Sequence, residues 1–362
     1  MDNVAGDRLA ARTELRTLQA LRAIAALMVV AFHAVGHYDS RSPTPALFQW
    51  WYNGSAGVDI FFVISGIVIT LSAGRLQTGA NGWWRFAAAR VRRIVPMYWL
   101  VTAAKVCIIL VAPALISRVA PLGTWHVLGS FFFIPVPDAT GTDMPVVEVG
   151  WTLTYEMMFY AVVALALFSR ASILPLTAVA LGLFAACRFL SPDFGNTIVV
   201  EFLFGVAIAS SLHRIRIPAA AAVIMALMGF AMICWVPIGS GVLRPITWGV
   251  PAALFVLGAL CLEGPAGRLL PAGLLLLGDA SYSLYLSHGF VIPVVYGIAK
   301  HVHLTGSSLM VTTLVGGLCA SSVFAIVLYL TAERPMLRWM TARRSTTIRP
   351  SFAQSAELKA SS

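Results

Sequence analysis

The amino-acid sequence predicts an all-α polytopic integral membrane protein with about ten transmembrane helices and with both termini in the cytoplasm. Three observations lead to this fold class. The 362 residues are 59% hydrophobic and only 11% charged, with a mean hydropathy of +0.84, and a soluble domain cannot bury that much apolar surface. Apolar runs of spanning length recur along the chain, and basic residues concentrate between alternate runs.

The apolar runs, taken in order, define the predicted helices. A transmembrane helix needs about 20 predominantly apolar residues. The runs fall near 18–36, 56–73, 94–112, 150–168, 172–190, 197–212, 217–236, 246–262, 274–297 and 308–331. The first run follows a polar segment and lacks a small-residue cleavage site after it, so it predicts an uncleaved helix and not a removable signal peptide.

The distribution of basic residues predicts the orientation. With a cytoplasmic N-terminus, 18 of the 25 lysines and arginines fall in cytoplasmic segments, five lie on the opposite side and two lie within helices. This is the bias expected from the positive-inside rule. The net charge of +10 therefore indicates membrane topology, and no nucleic-acid partner is expected.

The predicted organisation has one membrane domain. Residues 1–17 form a cytoplasmic segment, 18–335 the transmembrane domain, and 336–362 a polar cytoplasmic tail that is predicted to be disordered. The longest loop, 113–149, contains the apolar stretch LGTWHVLGSFFFIPV, which is too short to span and predicts an interfacial or re-entrant segment on the outer side. The five cysteines occur singly without metal-ligand spacing, so we interpret them as packing residues and expect no metal.

Two ionisable residues interrupt the first helix, in the stretch LRAIAALMVVAFHA. Arg22 and His33 are eleven residues apart, which places them on one helix face and about 16 Å apart along the axis. Each would cost about 2.5–3.5 kcal/mol in lipid, so such residues indicate function. The alternative for Arg22 is that its side chain only extends to the cytoplasmic interface.

Two acidic residues lie near the outer ends of later helices. Asp59 belongs to GVDIFFVISG, and Glu156 belongs to WTLTYEMMFY, where helix rise places it about 9 Å below the outer surface. We therefore expect both carboxylates to share the outer half of the membrane with His33. The alternatives are a helix N-terminal acid for Asp59 and a buried ion-pair partner for Glu156.

A cluster of arginines opens the third helix at the cytoplasmic boundary, in RVRRIVPMYW. Arg90 and Arg93 are three residues apart and point the same way on a helix. Guanidinium groups bind phosphate oxygens in a bidentate manner, although such a cluster also serves as a topology signal. An imidazole near a carboxylate suits proton abstraction from a hydroxyl. Together these features fit a cytoplasmic acyl-CoA donor and an acceptor on the other side.

Seven motifs in one order carry a resemblance to a known family. They are the Arg-x10-His of the first helix, GVDIFFVISG, RVRRIVP, WTLTYEMMFY, EFLFG, LGDASYSLYLSH and ERP. Over nearly the whole chain the sequence resembles the membrane-bound acyltransferase 3 family, and most closely its short exopolysaccharide O-acetyltransferases of the succinoglycan type.

The resemblance implies roles for individual residues. His33 matches the essential histidine of the family, and Glu156 and Asp59 match its acidic residues, which implies that these three are catalytic. The donor would be bound by Arg22, Arg90 and Arg93. Weaker matches imply substrate binding by Trp151, Tyr285 and His288.

The resemblance also implies the substrates and the location. The donor is expected to be acyl-CoA, most commonly acetyl-CoA, without a metal. The acceptor is expected to be a hydroxyl of an exported or cell-surface polysaccharide, either free or attached to a lipid carrier. The alternative acceptors are lipopolysaccharide, a lipo-oligosaccharide and a small glycosylated product. The expected location is the bacterial inner membrane, beside membrane lipids and polysaccharide assembly proteins.

Two questions stay open at the level of sequence. A secondary transporter also places charges within helices, although we find no internal repeat of the kind that many transporters show. His33 is predicted to act as a general base on the acceptor hydroxyl, oriented by Glu156 or Asp59, and the alternative is that it carries the acyl group covalently.

Overall fold

The fold is described from a computed structural model, which covers residues 15–42, 49–77, 79, 81–112, 122–190, 195–236 and 241–345. Within these ranges the chain forms helices and loops and contains no β-strand. The all-α fold class is therefore confirmed. Residues 1–14 and 346–362, which make up most of the predicted N-terminal segment and tail, lie outside the described residues.

Fourteen α-helices are numbered here in chain order within the described ranges. They are α1 Arg16–Asp39, α2 Gly57–Gly74, α3 Gly82–Val111, α4 Thr124–Phe131, α5 Trp151–Ser169, α6 Ile173–Leu190, α7 Val200–Ser211, α8 Ala219–Trp235, α9 Val250–Cys261, α10 Ala272–Asp279, α11 Ser281–His301, α12 Gly306–Val311, α13 Gly317–Leu328 and α14 Arg334–Ser345. Three π-helical segments, Pro245–Gly249, Thr312–Gly316 and Tyr329–Glu333, continue into the helices that follow them.

Eight of the helical spans in the described residues are long and apolar enough to cross a membrane. They are Arg16–Asp39, Asn53–Gly74, Gly82–Val111, Glu148–Ser169, Ile173–Leu190, Gly241–Cys261, Ser281–His301 and Gly306–Thr341. Two shorter apolar helical spans, Thr197–Ser211 and Ala219–Trp235, occupy the positions of the sixth and seventh predicted crossings. The protein is a polytopic membrane protein, and the count of ten crossings stays a prediction.

The loop predicted to hold an interfacial segment contains one short helix in its described part. α4 has eight residues and is too short to span a bilayer.

A turn follows α4 in the same loop. Hydrogen bonds from Thr140 and Thr142 hold the pKa of Asp138 in this turn at about 2, below its ordinary value. Residues 113–121 of the loop lie outside the described residues.

Helix α1 lies at the centre of the bundle and packs against α2, α10, α11 and α13. Small residues make this possible, because Ala23, Ala25, Ala26 and Ala34 are fully buried and allow neighbouring backbones to approach closely. The first backbone N–H groups of α1 donate to the buried Glu263 carboxylate, with N–O distances of 3.0 Å from Arg16 and 2.8 Å from Thr17. A carboxylate distant in the sequence thus caps the N-terminus of α1.

Helices α2 and α7 cross at a pair of glycines. A Cβ atom at Gly66 would overlap the backbone at Phe202 and Gly205, and one at Gly205 would overlap Val63 and Gly66. The absence of both side chains lets the two helices meet backbone to backbone, as small residues do in membrane bundles.

The C-terminal helix is longer than predicted. The predicted last crossing ends at 331 and the predicted disordered tail begins at 336, whereas α12, α13 and α14 follow one another with π-helical links up to Ser345. The segment RPMLRWMTARRS contains no helix-breaking residue after its first turn. The tail prediction therefore differs from the structure over residues 336–345.

The orientation of the termini is a prediction that thiol labelling can check. After replacement of the five native cysteines, we expect Ser40→Cys to react with an impermeant thiol reagent added to intact cells, and Thr341→Cys to react only after permeabilisation. Both positions are exposed. The reverse labelling pattern would invert the predicted topology.

Candidate functional site

A cavity of about 130 Å³ lies where α1, α2, α3, α5 and α11 meet. It is called the central cavity here. Its charged lining residues come from three helices: Arg22 from α1, Arg90 and Arg93 from α3, and Glu156 from α5. The lining also contains apolar side chains, chiefly from α2, and polar groups without formal charge: Ser65, Thr152, Tyr160, Ser281, Tyr282 and Tyr285. The structure thus brings the three arginines of the sequence prediction together around one carboxylate.

Arg90 and Arg93 face the central cavity because they are one helical turn apart on α3. Arg93 forms an ion pair with the buried Glu333, which also accepts a 2.6 Å hydrogen bond from Ser283. Arg90 donates to Ser72 over 3.2 Å, and its Nε is buried without a hydrogen-bond partner among the described residues. An unpartnered buried donor is costly, so Arg90 is ready to bind an anionic group.

The side chain of Arg22 extends from α1 to the start of α11. Its Nε donates to Ser281 Oγ over 3.2 Å. The guanidinium lines the central cavity and also a second cavity, described below, that opens beside α14. Arg22 therefore stands at the boundary between the two spaces.

Glu156 lies among the lining residues of the central cavity. Its carboxylate accepts a 3.0 Å hydrogen bond from Ser65 and a short one from Tyr160. That Glu156 shares the outer half of the membrane with His33 and orients its ring stays a prediction.

Asp59 forms an ion pair with Arg244. Its carboxylate is fully buried and accepts two hydrogen bonds from Arg244, over 2.7 and 3.0 Å. Arg244 lies just before a π-helical segment and stacks over the Trp248 ring. The fully buried Glu201 acts electrostatically on this pair. The structure places Asp59 in a buried ion pair, which differs from the predicted role of orienting His33.

His33 is oriented by the backbone of its own helix. Its Nδ1 lies 2.9 Å from the Val29 carbonyl oxygen, and the Nδ1 of His288 lies 3.0 Å from the Leu284 carbonyl oxygen. A carbonyl oxygen only accepts, so each neutral imidazole carries its proton on Nδ1 and leaves the Nε2 lone pair free. A free Nε2 is what a general base requires.

His33 and His288 form a pair, with ring centroids 4.8 Å apart. Tyr285, one turn before His288 on α11, connects this pair to the central cavity, because its ring lies 6.3 Å from that of His288 and its side chain lines the cavity. The Tyr285 hydroxyl is fixed by Thr152 at 2.9 Å and by the Val149 carbonyl at 3.2 Å. Trp151, the other weak match, packs edge-on against Tyr155 at 5.8 Å and does not line the cavity.

Sequence reasoning missed two acidic residues close to the predicted site. Glu333 was noticed only as part of ERP, and the π-helical segment that ends at Glu333 turns it towards Arg93. Glu148 is exposed at the start of α5, and its carboxylate acts electrostatically on His33 and on Lys105. Neither residue stands at a spacing from other charged residues that would predict which residue it contacts.

Metal ligands are not clustered in the described part of the chain, where no group of three or more His, Cys, Asp or Glu residues is arranged to hold a metal ion. The expectation of a metal-free site stays a prediction.

Comparison with known proteins gives one family and two relatives. A family profile described as an acyltransferase domain, of the acyltransferase 3 type, matches residues 15–330. The chain is 37% identical over 314 residues to the exopolysaccharide production protein ExoZ of Rhizobium meliloti (strain 1021), covering 81% of this chain and 92% of the relative. It is also 26% identical over 308 residues to BcsY of Komagataeibacter xylinus, covering 75% of this chain and 72% of the relative. The name of BcsY describes it as a membrane-bound transacylase. No solved structure matches the chain.

Proposed function

Because the chain belongs to the acyltransferase 3 family and is an acyltransferase, we propose that it transfers an acetyl group from cytoplasmic acetyl-CoA to a hydroxyl of an exported polysaccharide in the bacterial inner membrane. The family resemblance stated from the motifs is confirmed, and so is the prediction of an enzyme. The donor, the acceptor and the roles of individual residues are part of the proposal.

One observation supports the proposal: three arginines line a cavity together with Tyr285, and the ring of Tyr285 lies 6.3 Å from His288, the partner of His33. Charge-assisted bonds from Arg22, Arg90 and Arg93 favour the phosphate groups of coenzyme A. The His33 imidazole, with its proton on Nδ1, offers Nε2 to an acceptor hydroxyl. We infer that the donor enters through the central cavity and that the acceptor hydroxyl meets it at the pair of histidines.

The proposed reaction is a direct transfer. His33 Nε2 takes the proton of the acceptor hydroxyl while its oxygen attacks the thioester carbonyl carbon. The new C–O ester bond forms as the C–S bond breaks, and the imidazolium then gives its proton to the departing thiolate. Helix rise puts Arg22 and His33 about 16 Å apart, a span that the pantetheine arm can bridge, so no covalent carrier is needed.

The polysaccharide acceptor is supported by the relatives. ExoZ is named for exopolysaccharide production, and it is matched over 92% of its length. Lipopolysaccharide and smaller glycosylated acceptors are the alternatives from the sequence, and the name of ExoZ favours the polysaccharide.

Acetyl transfer is tested with the purified protein in lipid vesicles. Labelled acetyl-CoA and the polysaccharide of a strain that lacks this gene are supplied together, and label is expected to appear in the polysaccharide as a base-labile ester. Consumption of acetyl-CoA without ester formation on carbohydrate would reject the proposed acceptor, and no consumption would reject the donor.

The donor site makes a separate prediction. We expect Arg90→Ala to raise the Kd for acetyl-CoA about 10- to 100-fold, which is the loss of one charge-assisted interaction, and Arg90→Lys to restore little because the planar fork is lost. Equilibrium binding of labelled acetyl-CoA measures this.

The matched control is Arg85→Ala, an exposed arginine on the same helix. Because Arg93→Ala would leave the buried Glu333 carboxylate without its cation, that variant is tested together with Glu333→Gln. Unchanged affinity in Arg90→Ala and in the Arg93→Ala/Glu333→Gln double variant would return both arginines to a topological role.

A further inference from the structure

A second cavity, of about 350 Å³, lies next to the central cavity and is called the arginine cavity here. Four arginines from three helices line it: Arg22 of α1, Arg93 of α3, and Arg334 and Arg338 of α14. The remaining lining residues are Gln19, Asp279, Tyr329 and Leu337.

The fold brings these groups together through two helical spacings. Gln19 and Arg22 are three residues apart on α1, and Arg334 and Arg338 are four apart on α14, so each pair shares one helix face. Tyr329 also lines the cavity, and Asp279, Glu333, Arg93 and Arg334 all act electrostatically on it. In the sequence, Arg334 and Arg338 count among the cytoplasmic basic residues, and Arg334 also belongs to the ERP motif.

The lining of the arginine cavity is positively charged. Arg93 is paired with Glu333 outside the lining, which leaves Arg22, Arg334 and Arg338 against one lining carboxylate, Asp279. Arg334 and Arg338 are exposed, so they are accessible to a ligand from the aqueous side. Such a site suits an anion with several negative charges.

The arginine cavity adjoins the proposed donor site. Arg22 and Arg93 line both cavities, so a ligand bound by Arg334 and Arg338 lies next to two guanidinium groups that also face the central cavity. An acyl-CoA molecule has this shape, with all its phosphates at one end and a thin uncharged arm at the other.

We propose that the arginine cavity binds the 3′-phosphate at the nucleotide end of the acyl-CoA donor, with Arg334 and Arg338 as donor-binding residues. The pyrophosphate then lies inward, towards Arg22, Arg90 and Arg93, and the pantetheine arm extends from it into the central cavity. This inference rests on the proposed function. The shared chemistry is recognition of phosphate, and an anionic phospholipid headgroup is the other source of it.

A donor series separates the nucleotide from the arm. We expect the double variant Arg334→Gln/Arg338→Gln to raise the KM for acetyl-CoA about tenfold or more and to leave the KM for S-acetylpantetheine, which lacks the nucleotide, unchanged. The variant with both arginines changed to lysine should fall between. An equal rise for both donors, or no rise for acetyl-CoA, overturns the assignment.

Direct binding tests the same cavity without turnover. Labelled adenosine 3′,5′-bisphosphate is expected to bind the wild-type protein and to bind the double variant at least tenfold more weakly, with Arg268→Gln, an exposed arginine outside the cavity, as the matched control. Equal binding to the wild type and the double variant overturns the proposal, as does absence of binding to the wild type.

Lipid composition decides between the two sources of phosphate. Binding and kinetics are measured in vesicles of neutral phosphatidylcholine and in vesicles that also contain phosphatidylglycerol. A variant effect that is the same in both supports the nucleotide, and an effect seen only with phosphatidylglycerol overturns it in favour of a headgroup. If the wild type binds the bisphosphate but transfers no acetyl group, the proposed function fails and the phosphate site stands.

Discussion

Replacing His33 with alanine is expected to reduce acetyl transfer by at least 10²- to 10⁴-fold, the range that a positioned general base contributes. The reason lies in the geometry of the ring, because the Val29 carbonyl holds the proton on Nδ1 and leaves Nε2 to take the hydroxyl proton. Acetyl-CoA binding should be retained, since the arginines of the central cavity are untouched. Steady-state transfer and equilibrium binding, measured on the same preparation, separate the two effects.

His37→Ala is the matched control, because His37 lies one turn further along the same helix and packs on Tyr296 at 5.1 Å. We expect near-normal transfer from it. Rapid quenching with labelled acetyl-CoA and no acceptor should leave the wild-type protein unlabelled. An acetyl-imidazole at His33 that forms and decays at the rate of turnover would establish the carrier mechanism in place of the general base.

The second large effect concerns stability. Asp59→Ala is expected to lower the free energy of unfolding by about 3–5 kcal/mol, because it leaves Arg244 buried without the carboxylate that accepts both of its hydrogen bonds. Replacing both partners, as Asp59→Leu/Arg244→Met, should recover most of this loss, since a buried pair can be exchanged for apolar packing at little cost. Denaturant unfolding in detergent micelles measures both variants.

The same variants test whether Asp59 takes part in the chemistry. If the Asp59→Leu/Arg244→Met protein folds and keeps its kcat, the carboxylate is structural. A stable but inactive double variant would instead support the catalytic role that the family resemblance implies for Asp59. Glu201→Gln serves as the control, because it replaces the neighbouring buried carboxyl group without removing the pair.

The sequence was sufficient for the class of fold and for most helix positions. Long apolar runs are a strong signal, because lipid leaves a spanning chain few other options. The apolar signal is weaker for α7 and α8, because these two helices are too short for their length alone to show that they cross the membrane. It fails at α14, where a polar, arginine-rich segment was interpreted as disorder although it continues a helix.

The site was predicted in its residue types and in part of its grouping. Arg90 and Arg93 share a helix face because they are three residues apart, and this depends only on local structure. The partners of Glu156, Asp59 and Glu333 depend on which face of a neighbouring helix meets them. Two of the three π-helical segments end or begin beside these buried ion pairs, and a π-helical turn changes the facing of every residue after it, which no apolar pattern reveals.

The Asp59–Arg244 pair also has a consequence for how the protein is made. The two residues are 185 positions apart, and at a synthesis rate of about 5–20 residues per second Asp59 precedes Arg244 by roughly 10–40 s. During that interval α2 has left the ribosome while its carboxylate has no cation to accept hydrogen bonds from. We therefore expect chains truncated before residue 244 to be targets of membrane quality control, because their Asp59 carboxylate still lacks the arginine that pairs with it in the folded protein.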